Sequence, residues 1–262
     1  MSNLMRIESR SNPRIKEYRR LKDKKERMET RKYLVEGFRL VEEAFRAGMA
    51  IEAIIYDEDE DTGFETYIRP YLKDETVIVA TKEILKDLSS TQAPQGVVAV
   101  VTISSEPEEK PGLVLYLDRI QDPGNLGTIL RSAHAGGASR ILVSKGTVDP
   151  YSEKAIRSSM GSIFHVAVSM NGEAELENYL EKGYRLAITS LEAEHSLYRE
   201  DLTGNLIIAI GNEGSGVSEE LIEKSDLHLK IPMPGNAESL NAAVAASIII
   251  FERVRQLEES KR

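Results

Sequence analysis

Apolar residues along this chain fall into short β-branched runs separated by segments of helical period. Near the start, Ile15, Tyr18 and Leu21 share one face of a basic segment, which predicts a helix from about 12 to 28. Asn12 suits its N-cap and Pro13 its first turn. Strand-like runs follow at 33–35, 51–56, 76–79 and 96–101. Between them lie a helix over 38–47, ended by Gly48, and another near 64–72, stopped or kinked at Pro70.

The alternation is more regular from residue 113 onward. Strands are expected at 113–117, 140–143, 163–168, 184–189, 206–210 and 228–231. Helices are expected at 128–135, 151–160 and 173–182, with a short one capped by the Ser218 hydroxyl and a long one from about 240 to 257. This pattern predicts an α/β protein. Its C-terminal part is a mostly parallel sheet with helices on both faces, preceded by a smaller N-terminal α/β domain. The proline- and charge-rich stretch 105–112 is the expected linker, between domains at 1–104 and 113–262.

Composition narrows the chemistry. There is no Cys among 262 residues, which removes disulfides, thiolate metal sites and cysteine nucleophiles. Four scattered His argue against a structural zinc site, and no metal is expected. The longest apolar run, 242–251, is interrupted by Ser247 and falls short of a membrane span; with a charged N-terminus, a cytoplasmic protein without a membrane partner is expected. Net charge is −9, yet residues 1–32 hold 12 Lys and Arg against five Asp and Glu, a net of +7 that leaves −16 on the rest. A basic arm on an acidic body fits docking on phosphates, and it also fits a solvated helix face.

Three stretches combine loop chemistry with the strand-to-helix edges where open α/β sheets bind ligands. The first is Gln121-Asp122-Pro123-Gly124-Asn125-Leu126-Gly127, whose Pro, Gly and Asn suit a tight turn and which runs into Arg131. A cation within about one turn of a helix start opposes the dipole. Arg131 therefore either reaches solvent along its stem or serves an anionic ligand. The second is Gly211-Asn212-Glu213-Gly214-Ser215-Gly216, which is neither a dinucleotide fingerprint nor a phosphate-binding loop. Glu213 would repel a phosphate, so the loop suits a neutral or cationic ligand, unless it is a plain turn with an acidic rim. In the third, Ile231-Pro232-Met233-Pro234 leads to Ser239-Leu240-Asn241 and a helix beginning near Ser239, for which Ser239 is a candidate N-cap. Thr189 and Ser190 end another strand and are candidates to line the same pocket.

Taken in order, these stretches resemble the three motifs of the SpoU/TrmH family of RNA ribose 2′-O-methyltransferases, within the SPOUT superfamily. The resemblance implies S-adenosylmethionine as methyl donor, with S-adenosylhomocysteine as product. It matches Asn125, Arg131, Glu213, Ser239 and Asn241 to the catalytic set. Gly211, Ile231 and Leu240 match the positions whose main chain contacts the donor; Thr189, Ser190, Asn212 and Met233 are expected around it. It further implies a trefoil knot, homodimers with the site near the interface, and an N-terminal domain that binds RNA, marked here by Ser11–Lys16, Val35-Glu36-Gly37 and Gln95-Gly96. Arg14, Lys16, Arg19 and Arg20 are then the expected RNA contacts. Ribosomal RNA of the large subunit is the favoured substrate, with tRNA as the rival. A non-catalytic RNA-binding protein and a nucleotide-dependent enzyme are the remaining alternatives.

Overall fold

The computed structural model describes residues 3–91, 93–103, 111–190, 193–235 and 237–261. The chain forms two compact units, residues 1–105 with 151–164, and residues 106–150 with 165–262.

The first unit contains β1 (Asn3–Ile7), α1 (Pro13–Arg20), α2 (Lys24–Thr30), β2 (Lys32–Glu36), α3 (Phe38–Arg46), β3 (Ile51–Asp57), α4 (Asp61–Tyr67), β4 (Thr76–Ala80), α5 (Lys82–Leu88) and β5 (Val97–Thr102). Its sheet has the order β1-β4-β3-β5-β2, with β5 antiparallel to both its neighbours. Ile15, Tyr18, Ile55, Ile78, Leu85 and Val100 belong to one buried cluster under α1 and α5. The single helix expected over 12–28 is two. The Asp23 side chain accepts from Lys25 N at 2.7 Å and caps α2, so the chain turns between Leu21 and Asp23. The short β1 and α5 had no counterpart among the expected elements.

The second unit begins with β6 (Leu113–Leu117), α6 (Pro123–Ala135) and β7 (Arg140–Val143). The next helix, α7 (Glu153–Ser159), belongs to the first unit, where Tyr151 packs on Tyr33 with ring centroids 5.0 Å apart. By contacts, residues 151–164 group with the first unit, whereas the second domain was expected to run without interruption over 113–262. The chain then forms β8 (Ala167–Ser169), α8 (Gly172–Glu181), β9 (Arg185–Thr189), β10 (Leu206–Ile210), α9 (Glu219–Lys224), β11 (Leu227–Leu229) and α10 (Ala242–Glu259). Of the strand expected over 163–168, residues Ser162–Phe164 form a 3-10 turn instead. The expected linker lies outside the described residues up to 110.

Every pairing in the second sheet is parallel, in the order β11-β9-β10-β6-β7-β8. All residues of β6, β7 and β10 are buried, as expected of strands covered on both faces. On one face Val114, Tyr116, Ile207 and Leu186 pack with Leu176 and Tyr179 of α8 and Leu221 of α9. Helices α6 and α10 pack on each other: Ser132 and Ser247 hydroxyls are 2.6 Å apart, and a side chain at Gly136 would strike Ile250.

Candidate active site

Strand β10 delivers Gly211 into a turn that leaves no space for a side chain. A Cβ there would lie 2.4 Å from Gly216 C and from Val217 N. The turn closes through Asn212 and Gly216, which exchange backbone hydrogen bonds of 3.0 and 2.9 Å. Asn212 Oδ1 accepts from Gly214 N and Ser215 N, and its amide donates to Arg119 O, all at 2.9 Å. Asn212 is thus a brace for the turn. Two residues overlooked in the sequence anchor it from β6. Buried Asp118 accepts from the Arg119 guanidinium at 2.9 Å and from Ser218 N at 2.8 Å, and Arg119 also reaches Gly216 O. Arg119 has φ +57°, a left-handed conformation that costs on the order of 1–3 kcal/mol in a non-glycine residue. The Ser218 hydroxyl makes no cap bond to α9, contrary to expectation.

Around this turn, the C-terminal ends of neighbouring β9, β10 and β11 open into a cavity of about 580 Å³. Its size suits a small-molecule site. Thr189, Ser190, Gly211, Ile231, Met233 and Leu240 line it, as the resemblance implies, and so do Glu213, Ser239 and Asn241. Among the described lining residues there is no Lys or Arg, whereas Glu213 and Glu238 are both present. Such a wall disfavours a polyphosphate and suits a cation carrying hydroxyls and an apolar body.

Beside the cavity the three motifs meet. Asn125 Nδ2 donates to Glu213 at 2.9 Å, and Asn241 Nδ2 donates to Asn125 Oδ1 at 2.8 Å. Glu213 also accepts from Gln121 N at 3.2 Å and Asp122 N at 3.3 Å. Partial burial pushes the Glu213 carboxyl up, but the bonds from Asn125 and from backbone N–H groups outweigh it and hold it below the usual carboxylate range. Glu213 is therefore an ionised acceptor at neutral pH and a poor proton donor.

Local chemistry differs from the expectation in three places. The stretch 122–127 is no loop: Asp122 caps α6 through Asn125 N at 2.9 Å and Pro123 occupies its first turn. Arg131 consequently lies beyond the first turn, where the dipole has little effect, so the argument from dipole opposition fails. By helix geometry it stands about 9 Å along the axis and about 120° around it from Asn125. It is exposed and is not among the cavity-lining residues. Finally, the long helix begins at Ala242 with Asn241 as its cap, accepting from Ala243 N at 2.9 Å and Val244 N at 3.3 Å. Ser239 is not the cap; it lines the cavity.

The expected RNA contacts are unequal. Arg14 and Lys16 are exposed on α1, Arg19 is half-buried and donates to Asp87 at 2.7 Å, and Arg20 pairs with Glu26. Among the described residues no His, Asp and Glu cluster is arranged to hold a metal ion.

Residues 112–251, which contain all three converging stretches, match the SpoU rRNA Methylase family. The chain belongs to the SpoU rRNA methylase family. Residues 12–99 match an MRM3-like substrate binding domain. This SpoU methylase is 36% identical to the 23S rRNA (guanosine(2553)-2'-O)-methyltransferase of Bacillus subtilis (strain 168), over 95% of this chain and 98% of the other. It resembles the SpoU methyltransferase AviRb from Streptomyces viridochromogenes, solved with S-adenosylmethionine, at a TM-score of 0.85 and 30% identity over 94% and 98% of the two chains. It likewise resembles an S-adenosylmethionine-bound rRNA methyltransferase from Sinorhizobium meliloti, at a TM-score of 0.84 and 29% identity over 97% and 98%.

Proposed function

We propose that this SpoU methylase transfers a methyl group from S-adenosylmethionine to a ribose 2′-hydroxyl of large-subunit ribosomal RNA. The observation that carries this reading is the cavity at the ends of β9, β10 and β11, whose described lining includes Glu213 and Glu238 and no Lys or Arg, with the Glu213–Asn125–Asn241 chain at its edge. Relatives spanning nearly the whole chain support the substrate class.

The bound donor supplies an electrophilic methyl group on a sulfonium, so the protein's task is chiefly alignment and handling of charge. Gly211, Ile231 and Leu240 offer main chain to the donor, and the carboxylates oppose its positive charge. Asn125 and Asn241 hold a fixed array of amides beside it, and the Ser239 hydroxyl lies within the same wall. The ribose oxygen would gain the methyl carbon as that carbon's bond to sulfur breaks, leaving a neutral thioether, and the hydroxyl proton would pass to solvent water. Arg131 stabilises the developing charge and grips a neighbouring phosphate, as a permanently cationic guanidinium can.

Because Arg131 projects outside the cavity of its own chain, the reading includes a homodimer. Val244, Ile248 and Phe251 form an apolar stripe on α10, with Val244 47% and Phe251 48% exposed, and α10 packs on the helix that carries Arg131. A cytoplasmic location completes the reading; among the described residues no helix is long and apolar enough to cross a membrane.

The experiment is methylation with isotopically labelled donor of unmodified large-subunit rRNA and, separately, tRNA. Label on a ribose of the former, with S-adenosylhomocysteine released in equal amount, is expected. Label confined to tRNA would replace the substrate, and donor binding without transfer would leave only the RNA-binding alternative.

A further inference from the structure

Away from the donor cavity, the first unit holds an opening of about 380 Å³ whose wall includes Lys22, Arg27, Ser90, Glu153, Lys154 and Arg157. Four cations face one carboxylate there, in a protein whose overall charge is −9. Like charges gathered in this way favour an anion among them.

The way these cations are held distinguishes them from the rest of the basic arm. Arg10 and Arg19 share Asp87, Arg20 pairs with Glu26, and Lys32 with Glu52. In contrast, Lys22 Nζ donates to the carbonyl of Ser89 and Arg157 Nη1 to the hydroxyl of Ser90, both at 2.6 Å. Among the described residues neither makes a salt bridge, so these bonds fix the side chains in place without neutralising them. Arg27 is only 5% exposed and is oriented by a 2.7 Å bond to Leu21 O. Glu153 Oε1 is buried and accepts no hydrogen bond among the described residues.

We propose that this opening binds phosphate groups of the RNA backbone, an inference that rests on the RNA methyltransferase reading above. Arg157 provides a planar fork, and Lys22 and Lys154 provide point charges, suited to phosphate oxygens, with the buried Arg27 adding positive charge behind them. Contacts of this kind position RNA without reading its sequence. Residues 12–99 match the substrate-binding family, but Lys154 and Arg157 lie in the stretch matched to the methylase family. The site is therefore composite, completed by α7. It shifts the RNA footprint from Arg19 and Arg20, which carboxylates already hold, toward α2 and α7.

The test uses the full chain with Lys22→Glu and Lys154→Glu together, both exposed positions, and a transcript of large-subunit rRNA as probe. Fluorescence anisotropy over a salt series is expected to show affinity at least about tenfold weaker near 0.15 M salt. The slope of log affinity against log salt should fall by about 1 to 2. Calorimetric affinity for S-adenosylmethionine should stay unchanged, which reports an intact fold. As a second variant, Arg157→Lys should weaken binding less than Arg157→Ala. Wild-type affinity and salt slope in the double variant would overturn the site while leaving the methyltransferase reading intact. A wild type that methylates no RNA would overturn that reading, and absence of RNA binding would overturn both.

Discussion

Asn241 Nδ2 donates to Asn125 Oδ1 at 2.8 Å, across 116 positions of sequence, and both ends of the chain of bonds through them are fixed in polarity. At one end the Glu213 carboxylate only accepts, so the NH₂ of Asn125 must face it. At the other, backbone N–H groups of Ala243 and Val244 only donate, so the carbonyl of Asn241 must face them. No amide can flip without breaking a bond at an end. The start of α10 thereby sets the amide orientation beside the cavity.

Replacing Asn241 by Asp separates these two tasks. Asp caps a helix about as well as Asn, so the melting temperature should change little. A carboxylate cannot donate to Asn125 Oδ1, however, and the array loses its register. Methyl transfer is expected to fall roughly a hundredfold, in line with the cost of small misplacements. Asn241→Ala should lose about 1 kcal/mol of stability as well. Thermal melts beside single-turnover rates make the comparison.

Glu213 gives the site a defined response to acid. Its folded pKa lies below the ordinary carboxylate value, so the bonds it accepts stabilise the fold above about pH 4.3 and are lost as pH falls through the lowered folded value. The difference in melting temperature between wild type and Glu213→Gln should therefore be constant from neutral pH to about pH 5 and shrink only below it. A difference that already fades between pH 7 and pH 6 would mean a raised value and a protonated carboxyl.

Gly211→Ala places a methyl group 2.4 Å from two backbone atoms of the turn it faces. The turn must move, at a cost of about 1–3 kcal/mol by the measure of overpacked sites. Donor affinity in calorimetry should fall more than tenfold, with a smaller change in RNA affinity.

Much of this was legible in the sequence. Apolar runs at 113–117, 140–143 and 206–210 mark strands buried on both faces, and they coincide with β6, β7 and β10. Gly211, Glu213, Ser239 and Asn241 lie at strand ends or helix starts, and all four line one cavity. Capping was legible at Asn12, which accepts from Arg14 N, but not at Asp122 and Asn241: each acts through a hydrogen bond two or three residues ahead, and residue type alone does not choose among neighbouring candidates. Asp118 and Arg119 were missed for another reason. Their partners, Ser218 and Gly216, are distant in sequence, and no local period announces a positive φ at an arginine. The membership of α7 in the first unit was equally hidden, since an amphipathic helix does not declare which sheet it will cover.

Arg131 and the stripe on α10 lead to a paired prediction. Arg131 is exposed and lies outside the cavity of its own chain, so Arg131→Ala should leave stability within about 0.5 kcal/mol, as for ordinary surface changes. Donor affinity should stay within a few-fold while methyl transfer is abolished. Phe251→Glu places a charge on the exposed apolar stripe, at its C-terminal end, which in a homodimer would be buried and unpaired. Sedimentation should then show a monomer that still binds S-adenosylmethionine but has lost transfer, as the Arg131 variant has while remaining a dimer. Equal volumes of the two inactive variants, mixed under conditions that permit exchange of subunits, should stay inactive, because Phe251→Glu chains supply no interface. Recovery of transfer in the Phe251→Glu monomer alone would show instead that Arg131 reaches the cavity of its own chain.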